Sequence, residues 1–362
     1  MKIAITGIGI ISAIGRDQTE TLASLQMERS GIGAMQYLRS THTNLPVGEV
    51  KFSNEELRAL LQIPQTEAIS RTSLLGLSAA KEALHQANIQ DVQDMAFVSG
   101  TTVGGMDTTE CYWKDWKNDQ NLEYIAQHEA GASTKKIAEH LGNFAYSTTP
   151  STACSSALNS IMIGANMLRT KKVSRALVGG AESLSKFHLN GFNSLMILDV
   201  QPCRPFDATR AGLNLGEGAA YMVIEPEEEA LERGAKILGY IAGYANACDA
   251  FHQTASSADG EGAFRAMDKA LQIAVSMFSR FLLKNEMQII LVVFDKKSFQ
   301  LSRQLVGEID SFIDENYIRQ KRRSEYSRRP FSRSRIESDI TYDSEVYEEC
   351  SRYTEEEESE TE

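Results

Sequence analysis

One cysteine lies in a setting that suits thiol chemistry. Cys154 is flanked only by small residues in the stretch STACSSA, and the apolar pattern predicts a strand over residues 144–149 before it and a helix over 155–169 after it. Small neighbours let a bulky acyl chain reach the sulfur. The N–H groups and the positive end of a helix favour a thiolate, and they can hold the oxyanion that forms when a thioester is attacked.

Two hypotheses follow for this cysteine. Taken alone, a cysteine such as Cys154 is more often a buried structural residue than a nucleophile. A catalytic role needs a partner, and the stretch DAFHQT offers His252. An imidazole can polarise a carbonyl or move a proton, but a histidine that closely follows Asp249 can equally be a capped loop residue.

Strands and helices alternate along the first three quarters of the chain, and they must position these side chains. Strands are predicted over residues 2–6, 95–100, 144–149, 175–180, 220–225 and 236–244. Helices are predicted over residues 68–87, 133–141, 155–169 and 226–233. This order predicts an α/β layered fold with a mostly parallel sheet. The first strand is β-branched and ends at a glycine, which is typical of a strand buried on both faces.

Bulk composition argues against several classes of protein. A net charge of −12 speaks against nucleic acid as the main partner. The five cysteines are scattered and form no CxxC pair, so we expect neither a zinc site nor a disulfide framework, and a cytoplasmic location. The opening MKIAITGIGIISAIG is broken by glycines, so we expect no signal peptide and no membrane insertion. It also lacks the third glycine of a dinucleotide fingerprint.

The composition changes after about residue 270. A helix is predicted over residues 272–283, a strand over 288–294 and a second helix over 298–317. Residues 319–362 hold a basic block and then an acidic end, with few large apolar side chains. Such a segment cannot bury enough surface to offset chain entropy, so we expect a disordered, solvated tail.

Several segments of residues 1–269 resemble, in chain order, the β-ketoacyl-ACP synthases of the thiolase-like fold. They are MKIAITGIGIISAIG, SGTTVGGMD, STACSSALNSIMIGANML, VGGAES, GFNSLMILD, CRPFDATRAGLNLGEGAA and ANACDAFHQTASSADGEG. The resemblance implies that Cys154 accepts an acyl group from an acyl carrier protein, with its own N–H in the oxyanion hole. It further implies that His252 is one of two histidines that polarise a malonyl thioester during decarboxylative condensation, in fatty-acid or polyene synthesis.

The same resemblance implies no metal and no redox cofactor, and a homodimer that pairs through the strand at residues 144–149. The chain also matches the family pattern PFDxxRxGxxxGEG at Phe206, Asp207, Arg210, Gly216, Glu217 and Gly218. For Asp207 and Arg210 we expect an ion pair or a turn that shapes the loop beside the acyl pocket.

Later motifs of the family, including NxHGT with its second histidine, are missing. We therefore expect an incomplete synthase domain over residues 1–269, a fragment over 270–318 and a tail over 319–362. Residues 272–318 resemble the C-terminal part of a macro domain, without its ligand loops. The alternatives are a truncated synthase fusion that only acylates or binds partners, and an ADP-ribose-related binding protein.

Overall fold

The computed structural model describes residues 1–115, 117, 121–251, 257 and 259–282. They belong to the first of two units of the chain, Met1–Leu301; the second, Ser302–Glu362, lies outside the described residues. The strands are β1 Ile3–Ser12, β2 Met95–Gly100, β3 Tyr146–Thr148, β4 Arg175–Glu182, β5 Gly218–Pro226 and β6 Gly239–Ile241. The helices are α1 Gln18–Gln26, α2 Asn54–Leu61, α3 Arg71–Gln86, α4 Met106–Tyr112, α5 Leu122–Ile125, α6 Ala130–Leu141, α7 Ser156–Arg169, α8 Lys186–Ser194, α9 Glu227–Glu232 and α10 Glu261–Leu282.

The six strands form one mixed sheet in the order β3-β2-β4-β5-β1-β6. Strand β2 pairs in parallel with β3 and β4, whereas the β4·β5, β1·β5 and β1·β6 pairings are antiparallel. The prediction of a mostly parallel sheet is therefore wrong. The long segment between β4 and β5 brings the chain back to the end of the sheet where β4 finishes. Strand β5 therefore starts beside the last residue of β4 and runs antiparallel to it.

Helices cover both faces of the sheet, as the α/β layered fold requires. Successive residues of β2 point to opposite faces: Met95 and Phe97 join the core cluster that includes α3, and Ala96 and Val98 join the cluster that includes α7. Helix α3 packs on β1, β4 and β5, and α7 packs on β2 and β4. All six residues of β2 are buried, so this strand forms the centre of the three layers.

Strand β1 is longer than predicted, since it continues through Gly7 and Gly9 to Ser12. A Cβ atom on Gly7 would lie 2.2 Å from the Ala83 carbonyl oxygen, and one on Gly9 would lie 2.0 Å from the Ala79 carbonyl oxygen. These glycines therefore do not end the strand. They let the backbone of α3 approach β1 closely.

The predicted strand over residues 236–244 shortens to β6, and the following segment 242–251 contains no helix or strand. Helix α10 is continuous across residue 270, where the sequence predicts a domain boundary. Residues 283–362, which include most of the macro-like segment and the whole predicted tail, lie outside the described residues. In the described part, no helix has the length and apolar character needed to cross a membrane.

Candidate active site

Cys154 lies on the surface, just before the start of α7. The residue is exposed, and α7 begins two positions later at Ser156. Ser155 is the residue before the first helical position, and its hydroxyl accepts no capping bond from α7. The start of the helix beside the thiol is therefore not capped by this side chain. The exposure excludes the alternative of a buried structural cysteine.

The backbone before this thiol is strained. Ala153 has a φ of 52°, a left-handed conformation that costs a non-glycine residue about 1–3 kcal/mol and clusters at functional sites. The strand β3 ends at Thr148, so the chain makes a tight turn between the strand and α7. This turn presents the sulfur beside the C-terminal ends of β2 and β4 and keeps it out of the core.

Two paired glycines make room for the start of α7. Gly100 of β2 lies opposite Gly180 of β4 in the sheet register. A Cβ atom on Gly100 would lie 2.4 Å from the Ser156 carbonyl carbon, and one on Gly180 would lie 2.9 Å from the Ala157 Cβ atom. The helix start therefore contacts the sheet backbone directly, which fixes where the thiol stands.

A carboxylate at the end of β4 holds the neighbouring loop in place. Glu182 accepts hydrogen bonds from the Thr101 hydroxyl at 3.1 Å and from the Thr102 N–H. The Thr101 N–H donates to the Pro150 carbonyl at 3.4 Å, and the Ser151 hydroxyl donates to the Thr102 carbonyl at 3.2 Å. The predicted VGGAES and TTVGG motifs thus meet, and both contact the loop that carries Cys154.

A cavity of about 450 Å³ opens beside the sulfur. Its walls come from the first turn of α7 and from the ends of four strands, and Cys154, Gly100, Gly180, Glu182 and Ala219 line it. The volume falls within the range of small-molecule sites, about 300–1,000 Å³. The arrangement can admit an acyl thioester to the thiol.

His252 lies outside the described residues, so its role stays a prediction. The nearby Asp249 carboxylate accepts from the Ser257 N–H at 2.6 Å and the Gly262 N–H at 3.1 Å. The hydrogen bond from the Ser257 backbone lowers the pKa of this carboxyl. Asp249 therefore ties Ser257 and the start of α10 to the described segment that ends at residue 251.

The loop of the PFDxxR pattern forms a local turn. Asp207 Oδ1 accepts from the Thr209 N–H and hydroxyl, both at 2.7 Å, and Arg210 Nη1 donates to the Asp207 carbonyl at 2.9 Å. The hydrogen bond from the Thr209 backbone lowers the pKa of Asp207. Of the two predicted arrangements, the structure has the turn. Phe206 is 96% exposed with a φ of 64°.

A buried ion pair joins α3 to the segment before β5, and of its two residues the sequence analysis singled out only Glu217. Arg71 binds Glu217 through Nε at 2.9 Å and Nη2 at 2.6 Å, with only 8% and 1% of the side chains exposed. Glu217 also accepts from the Val50 and Leu184 N–H groups, both at 3.0 Å. The sequence does carry a signal for Arg71, since it is a charged residue within the apolar pattern of the helix predicted over residues 68–87.

A second cavity, of about 500 Å³, lies beside this pair and includes Asp107. Asp107 Oδ2 accepts from the Arg71 N–H at 2.8 Å, whereas Oδ1 is buried and has no hydrogen-bond partner among the described residues. Burial raises the pKa of Asp107 to about 6. Nothing in the sequence pattern marked this carboxyl.

Comparison with known proteins identifies the family. Residues 1–230 match the model of the β-ketoacyl synthase N-terminal domain. The chain is 32% identical over 278 residues to nodulation protein E of Rhizobium meliloti, and this match covers 73% of this chain and 68% of that protein. It is 28% identical over 289 residues to 3-oxoacyl-[acyl-carrier-protein] synthase 2 of Staphylococcus aureus (strain N315), covering 75% and 69%.

Solved structures agree with this result. The ishigamide ketosynthase/chain length factor superimposes with a TM-score of 0.67 and 29% identity, over 74% of this chain and 70% of that one. A ketosynthase from Xenorhabdus doucetiae, solved in complex with its chain length factor, gives a TM-score of 0.63 and 25% identity, over 75% and 68%. The macro-like resemblance of residues 272–318 lies beyond the family match and stays a prediction. The thiol turn and the layered fold agree with these matches, and the chain belongs to the β-ketoacyl synthase family.

Proposed function

We propose that this protein is a condensing enzyme that joins an acyl and a malonyl thioester through a Cys154 acyl-enzyme. The observation that carries the proposal is the exposed thiol, which lies just before α7 and lines the cavity of about 450 Å³. The S. aureus relative is named for acyl-carrier-protein thioesters, and we extend that substrate class to this chain.

In the first half-reaction, the Cys154 thiolate attacks the acyl thioester carbon. The carrier's sulfur leaves and takes up a proton, and the acyl group stays on the cysteine as a thioester. The Cys154 N–H and the start of α7, where the Ser155 side chain makes no capping bond, stabilise the oxyanion.

In the second half-reaction, the malonyl thioester loses carbon dioxide, and its carbanion attacks the acyl carbon. The cysteine leaves as a thiolate, and the product is a β-ketoacyl thioester. His252 polarises the malonyl carbonyl while the negative charge develops. The six histidines include none after His252, so an assay of this chain tests whether one histidine suffices.

Partners and location form part of the same proposal. The partners are an acyl carrier protein and a second copy of this chain. Among the described strands, β3 is an edge of the sheet with no partner on its outer side, and Tyr146 in it is 48% exposed. This edge can pair with the same strand of the second copy. We place the enzyme in the cytoplasm, because the described cysteines are free thiols.

Intact mass spectrometry after incubation with acyl carrier protein thioester tests the first half-reaction. We expect the mass of the protein to rise by one acyl group. Cys154→Ser should abolish this adduct, and Cys203→Ser, which changes a partly buried thiol, should keep it. An adduct that persists in Cys154→Ser would refute the assignment of the nucleophile.

Addition of malonyl carrier protein tests the second half-reaction. We expect carbon dioxide and a β-ketoacyl product from the unaltered chain. His252→Ala should retain the acyl adduct and lose the product. A chain that acylates but yields no product at any pH would show that it only accepts the acyl group.

The oligomeric state is tested by sedimentation. We expect a dimer, and Tyr146→Lys on β3 should shift the protein toward a monomer because like charges would face each other across the two-fold axis. A monomer at all concentrations in the unaltered chain would reject the dimer.

A further inference from the structure

The segment after β6 is anchored along one face of α7. The Tyr244 hydroxyl donates to Asn166 Oδ1 at 2.5 Å and accepts from Arg169 Nη1 at 2.6 Å. Further along, Asn246 Nδ2 donates to Asn159 Oδ1 at 3.0 Å. Positions 159 and 166 are seven apart, about two helical turns, so they share a face. The segment therefore runs from the C-terminal end of α7 toward its start, where the thiol stands.

The Asn159 amide also binds the turn that carries the thiol. Its Nδ2 atom donates to the Thr152 hydroxyl at 2.7 Å and to the Ser155 hydroxyl at 3.3 Å, and the residue is 8% exposed. The Ser155 hydroxyl in turn donates to the Thr152 carbonyl at 2.8 Å. One side-chain amide thus joins residues on both sides of Cys154 to the segment that continues into the DAFH stretch.

We propose that Asn159 and Asn246 are positioning residues, which hold residues 242–251, the segment that precedes His252 in the chain, against the thiol turn. The inference rests on the proposed condensing function and extends it to residues that touch no reacting atom. An amide suits this place because it accepts at one end and donates at the other. Asn159 therefore bridges the thiol turn and the described segment that precedes His252, whereas Asn246 makes only the link to that segment.

The two residues should fail in different ways. Asn246→Ala breaks only the link to the segment, so Cys154 should acylate within about twofold of the unaltered rate while condensation falls at least about tenfold, because catalysis is sensitive to displacements near 1 Å. Asn159→Ala also releases Thr152 and Ser155, so both steps should slow. The double variant should be no slower than Asn159→Ala, since residues in one network are non-additive.

Hydrogen exchange of the full chain provides a readout that needs no substrate. In both Asn variants, the amides of residues 243–251 should exchange faster. Asn190→Ala is the matched control, since it removes an exposed amide that contacts His42 Nε2 at 3.1 Å, and it should change neither exchange in this segment nor either rate.

The outcomes separate the two proposals. If the unaltered chain acylates and condenses, then unchanged condensation in Asn246→Ala, or additive losses in the double variant, overturns the positioning role. If the unaltered chain does not acylate, the proposed function fails, and exchange alone decides the anchoring of the segment. Unaltered exchange in Asn246→Ala would refute it, and Asn246→Asp, which cannot donate to Asn159, should reproduce the faster exchange.

Discussion

Gly100→Ala should displace the start of α7 and with it the candidate nucleophile. The added Cβ atom would lie 2.4 Å from the Ser156 carbonyl carbon, 2.5 Å from its oxygen and 2.6 Å from the Ala157 nitrogen. All three are backbone atoms, so no flexible side chain can swing away. Relief requires that the helix start move as a unit.

The size of the effect follows from these distances. Ordinary contacts of a Cβ atom begin at 3.4 Å, so the closest atom must shift by about 1 Å, which for an overpacked core costs about 2–3 kcal/mol. For a domain of this size, that loss lowers Tm by about 4–12 °C. A shift of about 1 Å at the thiol should slow acylation of Cys154 about 100-fold.

Thermal melting and the rate of acyl-adduct formation measure the two effects. Gly191→Ala is the matched control, because a Cβ atom there meets nothing within 4 Å and alanine favours the helix. It should melt at the same temperature or slightly higher, with an unchanged acylation rate. Should Gly100→Ala keep both the Tm and the acylation rate of the unaltered chain, the close contact between β2 and α7 would not position the thiol.

Three further changes test the supports of the site. Glu217→Ala leaves the Arg71 guanidinium buried without its partner, and it should lower the free energy of unfolding in denaturant by about 3–5 kcal/mol. Burial raises the pKa of Asp107 to about 6 in the folded chain, so its ionisation lowers the free energy of unfolding as the pH rises from about 4 to about 6. Asp107→Asn should therefore raise the free energy of unfolding by up to about 3 kcal/mol at pH 7 and by little at pH 4. Tyr221→Phe leaves the Ser99 hydroxyl, bonded at 2.6 Å, buried without a partner, and should cost about 1–3 kcal/mol that a second change, Ser99→Ala, partly restores.

Each of these changes has its own control or contradicting result. As a control, Glu20→Ala breaks an exposed pair with Arg16 and should lower the free energy of unfolding by less than about 1 kcal/mol. A loss as small as this for Glu217→Ala would contradict the expected stabilisation by the buried pair. A constant difference between Asp107→Asn and the unaltered chain from pH 4 to pH 7 would refute the raised pKa. Strictly additive losses at Ser99 and Tyr221 would show that their hydroxyls do not depend on each other.

Local pattern was enough to place most elements. Strand β2 begins and ends where the sequence predicts, and α7 begins one residue later than predicted. Both are determined by the spacing of apolar side chains within a few residues. The same local reading found the Cys154 turn, because small residues between a strand and an apolar helix are adjacent in the chain. The family resemblance over residues 1–269 was likewise confirmed through residue 230 by the family model.

Contacts between distant residues required the tertiary structure. The direction of β5 in the sheet, the close approach of α3 to Gly7 and the bridge from Asn159 to Asn246 each join segments far apart in sequence. Arg71 and Glu217 meet across 146 positions, and neither residue has a local signal for the other. The sequence by itself predicted the turn that holds the candidate nucleophile Cys154 and the helix that follows it. Only packing decided which backbone and which carboxylates hold that thiol in place, because strand order and close approach depend on how whole elements fit together.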